Sequence, residues 1–238
     1  MRVPEEAEVL SERRLAPQHL PAASALAWHA HDEAYAAVLL DGCYLEAGDG
    51  GRFKAEPGQV LIHPPFSGHA NWIDRGGVAL VNVPLSVVDG LRLESGLVGD
   101  PEQLLDEIGR RPGQAGALLA AAVRPSAKLE SDLPDLLATA MLDPEAPSLT
   151  EWADRHQVSA RTITRHFRQA FGISPARHRL RVRTLAAWRE IVDGVRSLAD
   201  IAAAAGFADQ AHMTRSIVTL TGRPPRAWRD VHLVQDAV

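Results

Sequence analysis

The sequence predicts a multidomain α+β chain. A strand-rich N-terminal half reads as a sandwich or barrel and is followed by helices; the C-terminal part is an all-α domain with two helix-turn-helix units. Three observations predict this. Residues 148–175 and 197–225 repeat one pattern. Residues 24–85 break into short apolar or alternating stretches separated by glycine-bearing turn signals, the texture of a sandwich or barrel. Charge divides sharply: residues 1–145 hold 11 Lys+Arg against 22 Asp+Glu, while residues 146–238 hold 14 arginines, no lysine and 8 acidic residues. A basic segment is carried by an acidic one, so phosphate neutralisation fits the second part and not the first.

The length of 238 residues allows two modest domains with separate cores. No apolar run reaches 18 residues and no basic-then-apolar leader opens the chain, so a soluble, cytoplasmic protein without a membrane span is expected. The single cysteine, Cys43, excludes an intramolecular disulfide and fits a reducing compartment. It sits in an apolar, strand-like stretch and reads as a buried inert thiol.

Taken in order, residues 1–20 are polar and read as a loose terminus or an edge element. Ala34–Leu40, Cys43–Ala47, Gln59–His63, His69–Ile73 and Gly77–Pro84 read as strands, with turns at Asp41-Gly42, Gly48–Gly51, Pro57-Gly58, Ser67-Gly68 and Arg75–Gly77. Pro101–Arg110 and Gln114–Val123 read as helices, Arg124–Ser126 as a linker, and Leu129–Leu142 as a helix restarted at Pro134.

In the repeat, Ser148-Leu149-Thr150-Glu151-Trp152-Ala153 matches Ser197-Leu198-Ala199-Asp200-Ile201-Ala202 at an offset of 49. Ile163-Thr164-Arg165 then matches Met213-Thr214-Arg215 at an offset of 50, and both copies end alike at Gly172–Pro175 and Gly222–Pro225. Ser148 with Glu151 is a capping box, and Ser197 with Asp200 a weaker copy. Ala153 and Ala202 supply the small side chain that two helices crossing at a tight turn require. The apolar positions leave Arg161, Thr164, Arg165 and Arg168 outward on one second helix, and Gln210, Ala211, Thr214 and Arg215 on the other. Arginine can bond guanine bidentately, glutamine can pair with adenine, and threonine or alanine can touch a thymine methyl, so double-stranded DNA is the expected partner. Ala176–Val192 reads as one connecting helix, roughly 25 Å long. That is near what holds two recognition helices about 34 Å, one DNA turn, apart. Arg177, Arg179, Arg181 and Arg183 splay around it, so at most one or two reach phosphate.

Residues 130–230 resemble the DNA-binding domain of the AraC/XylS family of transcription regulators. The resemblance is carried by Leu149–Ala153, Val158-Ser159, Phe167–Pro175, Ile201-Ala202, Ala205-Gly206-Phe207 and Gly222–Arg229. It departs at Ile217-Val218, where the family has Phe followed by Lys or Arg. It implies two recognition helices entering successive major-groove segments, with Arg161, Thr164 and Arg165, then Gln210, Ala211 and Arg215, at the base-facing positions.

His29-Ala30-His31 and the stretch Gly58–Asn71 resemble the two motifs of cupin barrels, which the family's sensor domains carry. The implied organisation is a cupin-like effector-binding domain over residues 1–100, a helical linker or dimerisation region over 101–125, and the DNA-binding domain over 126–238. In metal-binding cupins, His29, His31 and His69 would be three imidazole ligands for a divalent transition metal such as zinc. Tyr35 falls where the first motif's carboxylate stands. The other readings are an effector pocket lined by His29, His31, Tyr35 and His69, or partly exposed strand residues without a ligand. His63 faces opposite to Val60 and Ile62 and stays outside this set. The expected function is a transcription regulator responding to a small-molecule effector, acting as a homodimer and touching RNA polymerase if it activates; no enzymatic role is expected. The competing class is a metal-dependent cupin enzyme fused to a DNA-binding domain.

Overall fold

A computed structural model of the chain describes residues 15–125, 132–194 and 196–229. Residues 1–14 of the segment 1–20 expected as a loose terminus or an edge element, and the start of the helix expected from Leu129, lie outside the described residues. The chain forms two compact units: Met1–Glu46 with Phe53–Leu129, and Ala47–Arg52 with Glu130–Val238.

The first unit is built on an antiparallel sheet of β1 (Gln18–Leu20), β2 (Ala25–Ala30), β3 (Ala34–Gly48), β4 (Gly51–Ala55), β5 (Gln59–His63), β6 (Gly68–Leu85), β7 (Gly96–Leu97) and β8 (Arg124–Pro125). The strand path is β1-β6-β3-β5-β7-β8, with β2 paired to β6 and β4 to β3. Among the described residues this path is open, with β1 and β8 as its ends, where the resemblance to cupins suggested a barrel.

Two expected turns are not turns. Strand β3 runs through Asp41-Gly42 and β6 through Arg75–Gly77. Gly42 and Gly77 have φ of 76° and 74°, so each kinks its strand without ending it. They abut: a Cβ on Gly42 would lie 2.0 Å from the Gly77 carbonyl oxygen. Gly42 has no room for a larger residue, and at Gly77 a Cβ would lie 3.1 Å from the Leu20 carbonyl oxygen.

Both faces of β3 are buried, following the period-2 alternation of a strand. Ala36 and Val38 join Val60, Val81 and Val83 under the helices α2 (Pro101–Arg110) and α3 (Ala115–Ala122), which contribute Leu104, Ile108, Ala115 and Leu119. Ala37 and Leu39 face the other way with Tyr44, Leu61, Ile73, Val78 and Leu80. A short helix α1 (Val87–Arg92), capped by Ser86, precedes them. Helix α2 coincides with its expected bounds, started by Asp100 as N-cap and Pro101 at the first turn.

The second unit is helical apart from Ala47–Arg52. It holds α4 (Leu133–Ala140), α5 (Leu149–Arg155), α6 (Ala160–Phe171), α7 (Pro175–Asp193), α8 (Leu198–Ala204) and α9 (Gln210–Thr221). Helix α4 begins at the restart expected around Pro134, with Asp132 as its N-cap. Among the described residues, no helix is long and apolar enough to cross a membrane.

Candidate nucleic-acid interface and histidine cluster

The helix-turn-helix pair is assembled by the same local devices twice. Ser148 and Glu151 close the capping box of α5: the Glu151 N–H donates to Ser148 Oγ at 3.2 Å, and the Ser148 N–H donates to Glu151 Oε2 at 2.8 Å. Accepting that backbone bond holds the Glu151 carboxyl below its ordinary pKa. At α8, Ser197 caps in the same way, with the Asp200 N–H donating to Ser197 Oγ at 3.1 Å. The turns also match. The Val158 N–H reaches the Ala153 carbonyl at 3.0 Å, and the Phe207 N–H reaches the Ala202 carbonyl at 2.9 Å. Ala153 and Ala202, each 1% exposed, are the small residues of the two crossings.

The second helices, α6 and α9, start at the caps Ser159 and Asp209 and end at Gly172 and Gly222, both left-handed with φ of 74° and 70°. Over residues 161–170 and 211–220 the sequence of buried, half-buried and exposed positions is the same, residue for residue. Ile163 and Phe167 are buried on one helix, and Met213 and Ile217 on the other. The outward residues lie where the sequence placed them. Arg161, Arg165 and Arg168 are exposed and Thr164 is half-buried; Gln210, Ala211 and Arg215 are exposed and Thr214 is half-buried. Arg161, Thr164, Arg165 and Arg168 line one surface depression with Ala160 and Gln169. Thr164 also donates to the Ala160 carbonyl at 2.7 Å, which fixes its rotamer and turns its methyl outward from that bond.

The connecting helix α7 carries Thr184, Ala187, Trp188 and Ile191 into the core, whereas Leu180 is 42% exposed. Of its four alternating arginines, three are held by the protein. Arg179 donates to the carbonyls of Ala146 and Pro147, and Arg183 to those of Gly206 and Pro144. Arg181 pairs with Asp49 at 3.3 Å. Arg177 is exposed.

In the first unit, strand pairing gathers the expected histidines. His29 on β2 lies directly opposite His69 on β6. Ring centroids are 4.3 Å apart for His29–His69, 5.0 Å for His29–His31 and 5.5 Å for His31–His69. Their ligand atoms all fall within 4.8 Å of one another. The His29 Nδ1 lies 2.8 Å from the Ala27 carbonyl, which can only accept, so Nδ1 is the donor. Tyr35 borders the group, 5.1 Å from His31 by ring centroids.

Two members were missed. His63 pairs with Tyr35 across β3 and β5, and its ring stacks on Tyr35 at 4.5 Å. It also lies 4.5 Å from the His69 ring. His63 does face opposite to Val60 and Ile62, but the cluster is on that opposite face. With both faces of β5 apolar, alternation alone could not say which side held the site. The second is Glu46 on β3, two residues beyond Tyr44 on the same face, which supplies the carboxylate that the first histidine motif lacks. Its ligand atom forms a second close triad with His63 and His69. A glutamate inside the otherwise apolar run from Cys43 to Ala47 was the available signal.

Glu46 is buried and accepts from Asn71 Nδ2 at 3.0 Å and from Tyr44. Burial nevertheless pushes its carboxyl up to about 8, the two hydrogen bonds opposing only part of the shift. Burial pushes the His63 imidazole down to about 3, helped by the nearby His31 and His29. Glu46 Oε2 and His63 Nε2 stand 3.7 Å apart, and near neutral pH they meet as a carboxylic acid and a neutral imidazole, not as an ion pair. His31 is likewise lowered by burial and by His29. Burial thus favours the neutral form of His31 and His63, the form that can coordinate or hydrogen-bond a ligand.

No curated protein sequence matches the chain. Residues 152–230 match a family model described as a helix-turn-helix domain. Among solved structures, the chain is similar to the DNA-binding domain of the global transcriptional factor AdpA in complex with a target DNA, at 24% identity, covering 44% of this chain and 96% of that one with a TM-score of 0.41. It is similar to a transcriptional regulator with an AraC-type DNA-binding domain from Chromobacterium violaceum, at 25% identity over 39% of this chain and 83% of that one, TM-score 0.36. ToxT from Vibrio cholerae O395 is similar over 93% of this chain and 97% of its own, at 6% identity and a TM-score of 0.41. With its matched caps, turns and endings, the segment of residues 152–230 is a helix-turn-helix domain.

Proposed function

We propose that the protein is a sequence-specific DNA-binding transcription regulator whose helices α6 and α9 read successive major-groove segments. The observation that carries this is the duplicated outward face: Arg161, Thr164, Arg165 and Arg168 on one helix, Gln210, Ala211, Thr214 and Arg215 on the other, with Arg161, Thr164 and Arg165 at the positions of Ala211, Thr214 and Arg215 on matched scaffolds. Those side chains have the donors, acceptors and methyl groups that distinguish base pairs in the major groove. The arginine excess of residues 146–238 supplies phosphate neutralisation. The test is selection from a random duplex pool by the full chain, followed by titration of the recovered sequence against salt. Enrichment of one bipartite sequence and affinity falling steeply with salt support the reading. A folded protein that enriches nothing and shows no salt-dependent affinity overturns it.

The strand-rich unit is the sensor, and His29, His31, Tyr35 and His69 are its ligand-binding residues. A regulator responds only if its ligand binds the two functional states unequally. The donor set fits a divalent transition metal such as zinc. Three imidazoles converge, the His29 tautomer is fixed by Ala27, and Glu46 stands in reach of the same group. A bound ion would polarise a coordinated water or effector oxygen; His29, His31 and His69 would hold it. The same polar wall also suits an organic effector with hydrogen-bonding groups. Metal content of the purified protein, with DNA affinity measured before and after chelation, separates the two. Metal bound and affinity altered by its removal supports the ion as the signal; neither leaves the organic effector.

A further inference from the structure

The helical unit is not continuous in sequence: it includes Ala47–Arg52, separated from the rest of it by Phe53–Leu129 of the other unit. This six-residue segment, at the turn joining β3 to β4, is tied to that unit at three points. Arg52 makes a two-pronged bond to Asp135 of α4, at 2.9 and 3.0 Å, and a third contact to Asp132, the N-cap of the same helix, at 2.5 Å. Asp49 receives both Nε and Nη2 of Arg181 on α7, each at 3.3 Å. These two side chains are only 13% and 15% exposed. The backbone of Gly48 and Asp49 lies against the ring of His178, one turn before Arg181 on α7. His178 is fully buried, and its ring meets Phe167 and Phe171 of α6 edge-on at 5.2 and 5.5 Å.

These contacts converge on one mechanical element. Helix α7 is the spacer between α6 and α9, so its axial position and rotation set the distance and phase between the two outward faces. Asp49 and Gly48 grip α7 on successive turns, and through His178 the grip extends to the buried side of α6. Strand β3, which ends in this segment, also carries Glu46 of the histidine cluster two residues before Gly48.

We infer that Ala47–Arg52 is a working part of the DNA-reading unit, and that Asp49 is a positioning residue that fixes α7 and thereby the spacing of the two recognition helices. This inference rests on the proposed DNA-binding function.

The experiment uses the full chain and two readouts. The first is binding to the bipartite duplex that wild type selects, and to the same duplex with one base pair inserted between its segments. Asp49→Ala should bind the selected duplex about two- to thirtyfold more weakly, the range by which positions away from a ligand modulate its binding, and should lose most of wild type's preference over the inserted one. Asp49→Asn tests the charge alone if Asp49→Ala does not fold. The second readout is a thermal-melting cycle of Asp49→Arg, Arg181→Asp and the exchanged pair. Recovery in the exchanged pair supports the contact; additive losses overturn it. Wild-type affinity and spacing preference in Asp49→Ala or Asp49→Asn overturn the positioning role. If wild type selects no DNA, the DNA-binding reading fails, while the melting cycle still decides whether the segment belongs to the helical unit.

Discussion

Gln157 and Gly206 occupy the same left-handed conformation, with φ of 57° and 72°, in turns 49 residues apart. Each ends the first helix of its unit and lets the chain reverse into the second. Only Gly206 adopts that conformation without a steric cost, since an L side chain there crowds the following carbonyl. A Cβ on Gly206 would also lie 3.2 Å from the Arg183 guanidinium carbon. Gly206→Ala is therefore expected to destabilise the second helix-turn-helix by about 1–2 kcal/mol. Gln157→Gly should cause no such loss, because relief of the left-handed strain offsets the added freedom of the unfolded chain. Chemical unfolding of both variants checks this. Equal losses would mean that the two turns are not equivalent.

The outward arginines give a prediction of the opposite kind. Arg165 and Arg215 are exposed and make no core contact, whereas Ile163 is 1% exposed. Arg165→Ala and Arg215→Ala should each lose about 1–3 kcal/mol of discrimination between selected and random duplex while melting like wild type. Ile163→Asp should instead unfold the first unit, since it buries a charge without a partner. Melting of either arginine variant far below wild type would place that side chain in the fold and not at the DNA.

What was legible in the sequence follows from how local each signal is. Ser148, Glu151, Ser197, Gly172 and Gly222 act on backbone groups within four residues of themselves, so caps, turns and helix bounds could be read directly. The sheet was read less well. Asp41-Gly42 and Arg75–Gly77 carry the composition of turns, yet Gly42 and Gly77 are kinks that let two long strands approach closely. Nothing within either segment separates those outcomes; the partner strand decides. His29, His31 and His69 were found because two of them share a strand face and the third stands in a recognisable motif. Glu46 and His63 were not, since apolar residues surround them on both faces. The membership of Ala47–Arg52 in the helical unit depends on contacts such as Asp49–Arg181 across more than a hundred residues, which no window reveals.

His178 supplies a pH dependence for the helical unit. Burial lowers its pKa, with the Asp49 charge and the Gly48 backbone opposing only part of the shift. In the unfolded chain the imidazole takes up a proton near pH 6.5, while the folded state leaves it neutral until a lower pH. The unfolded state thus binds more protons in that window. Stability is complete above about pH 6.5 and falls as pH drops through it, by up to about 1.4 kcal/mol per unit. Hydrogen exchange at the amides of Phe167–Phe171, compared at pH 7.5 and 5.5 after correction for intrinsic rates, should show this loss in wild type. His178→Leu keeps an apolar contact with both phenylalanines and removes the titrating group, so its stability should change less between the two pH values. The same pH response in both proteins would assign the effect to another residue.

The histidine cluster predicts a graded response to mutation if it holds a metal. His29, His31 and His69 form the triad whose donor atoms converge, and His29 is the one with an oriented tautomer. Removing His31 leaves two imidazoles, below the three protein ligands typical of a site that keeps an open position. His31→Ala should therefore abolish stoichiometric zinc. Glu46→Gln is different. The amide keeps nearly the volume of the acid and can accept from Asn71, but it cannot become the carboxylate that a nearby cation would favour. It should weaken zinc binding and make that binding less dependent on pH between about 7 and 9, because wild type must release the Glu46 proton, held up to about 8, for the carboxylate to contribute. Metal analysis and zinc titration at several pH values, in wild type, His31→Ala and Glu46→Gln, read out both effects. If His31→Ala keeps full zinc while Glu46→Gln loses it, the ion sits in the inner triad of Glu46, His63 and His69 and not in the triad named by the sequence. If none of the three proteins binds zinc, and His31→Ala nevertheless flattens the response of DNA affinity to an organic compound, the cluster is an effector wall whose imidazoles bond the ligand directly.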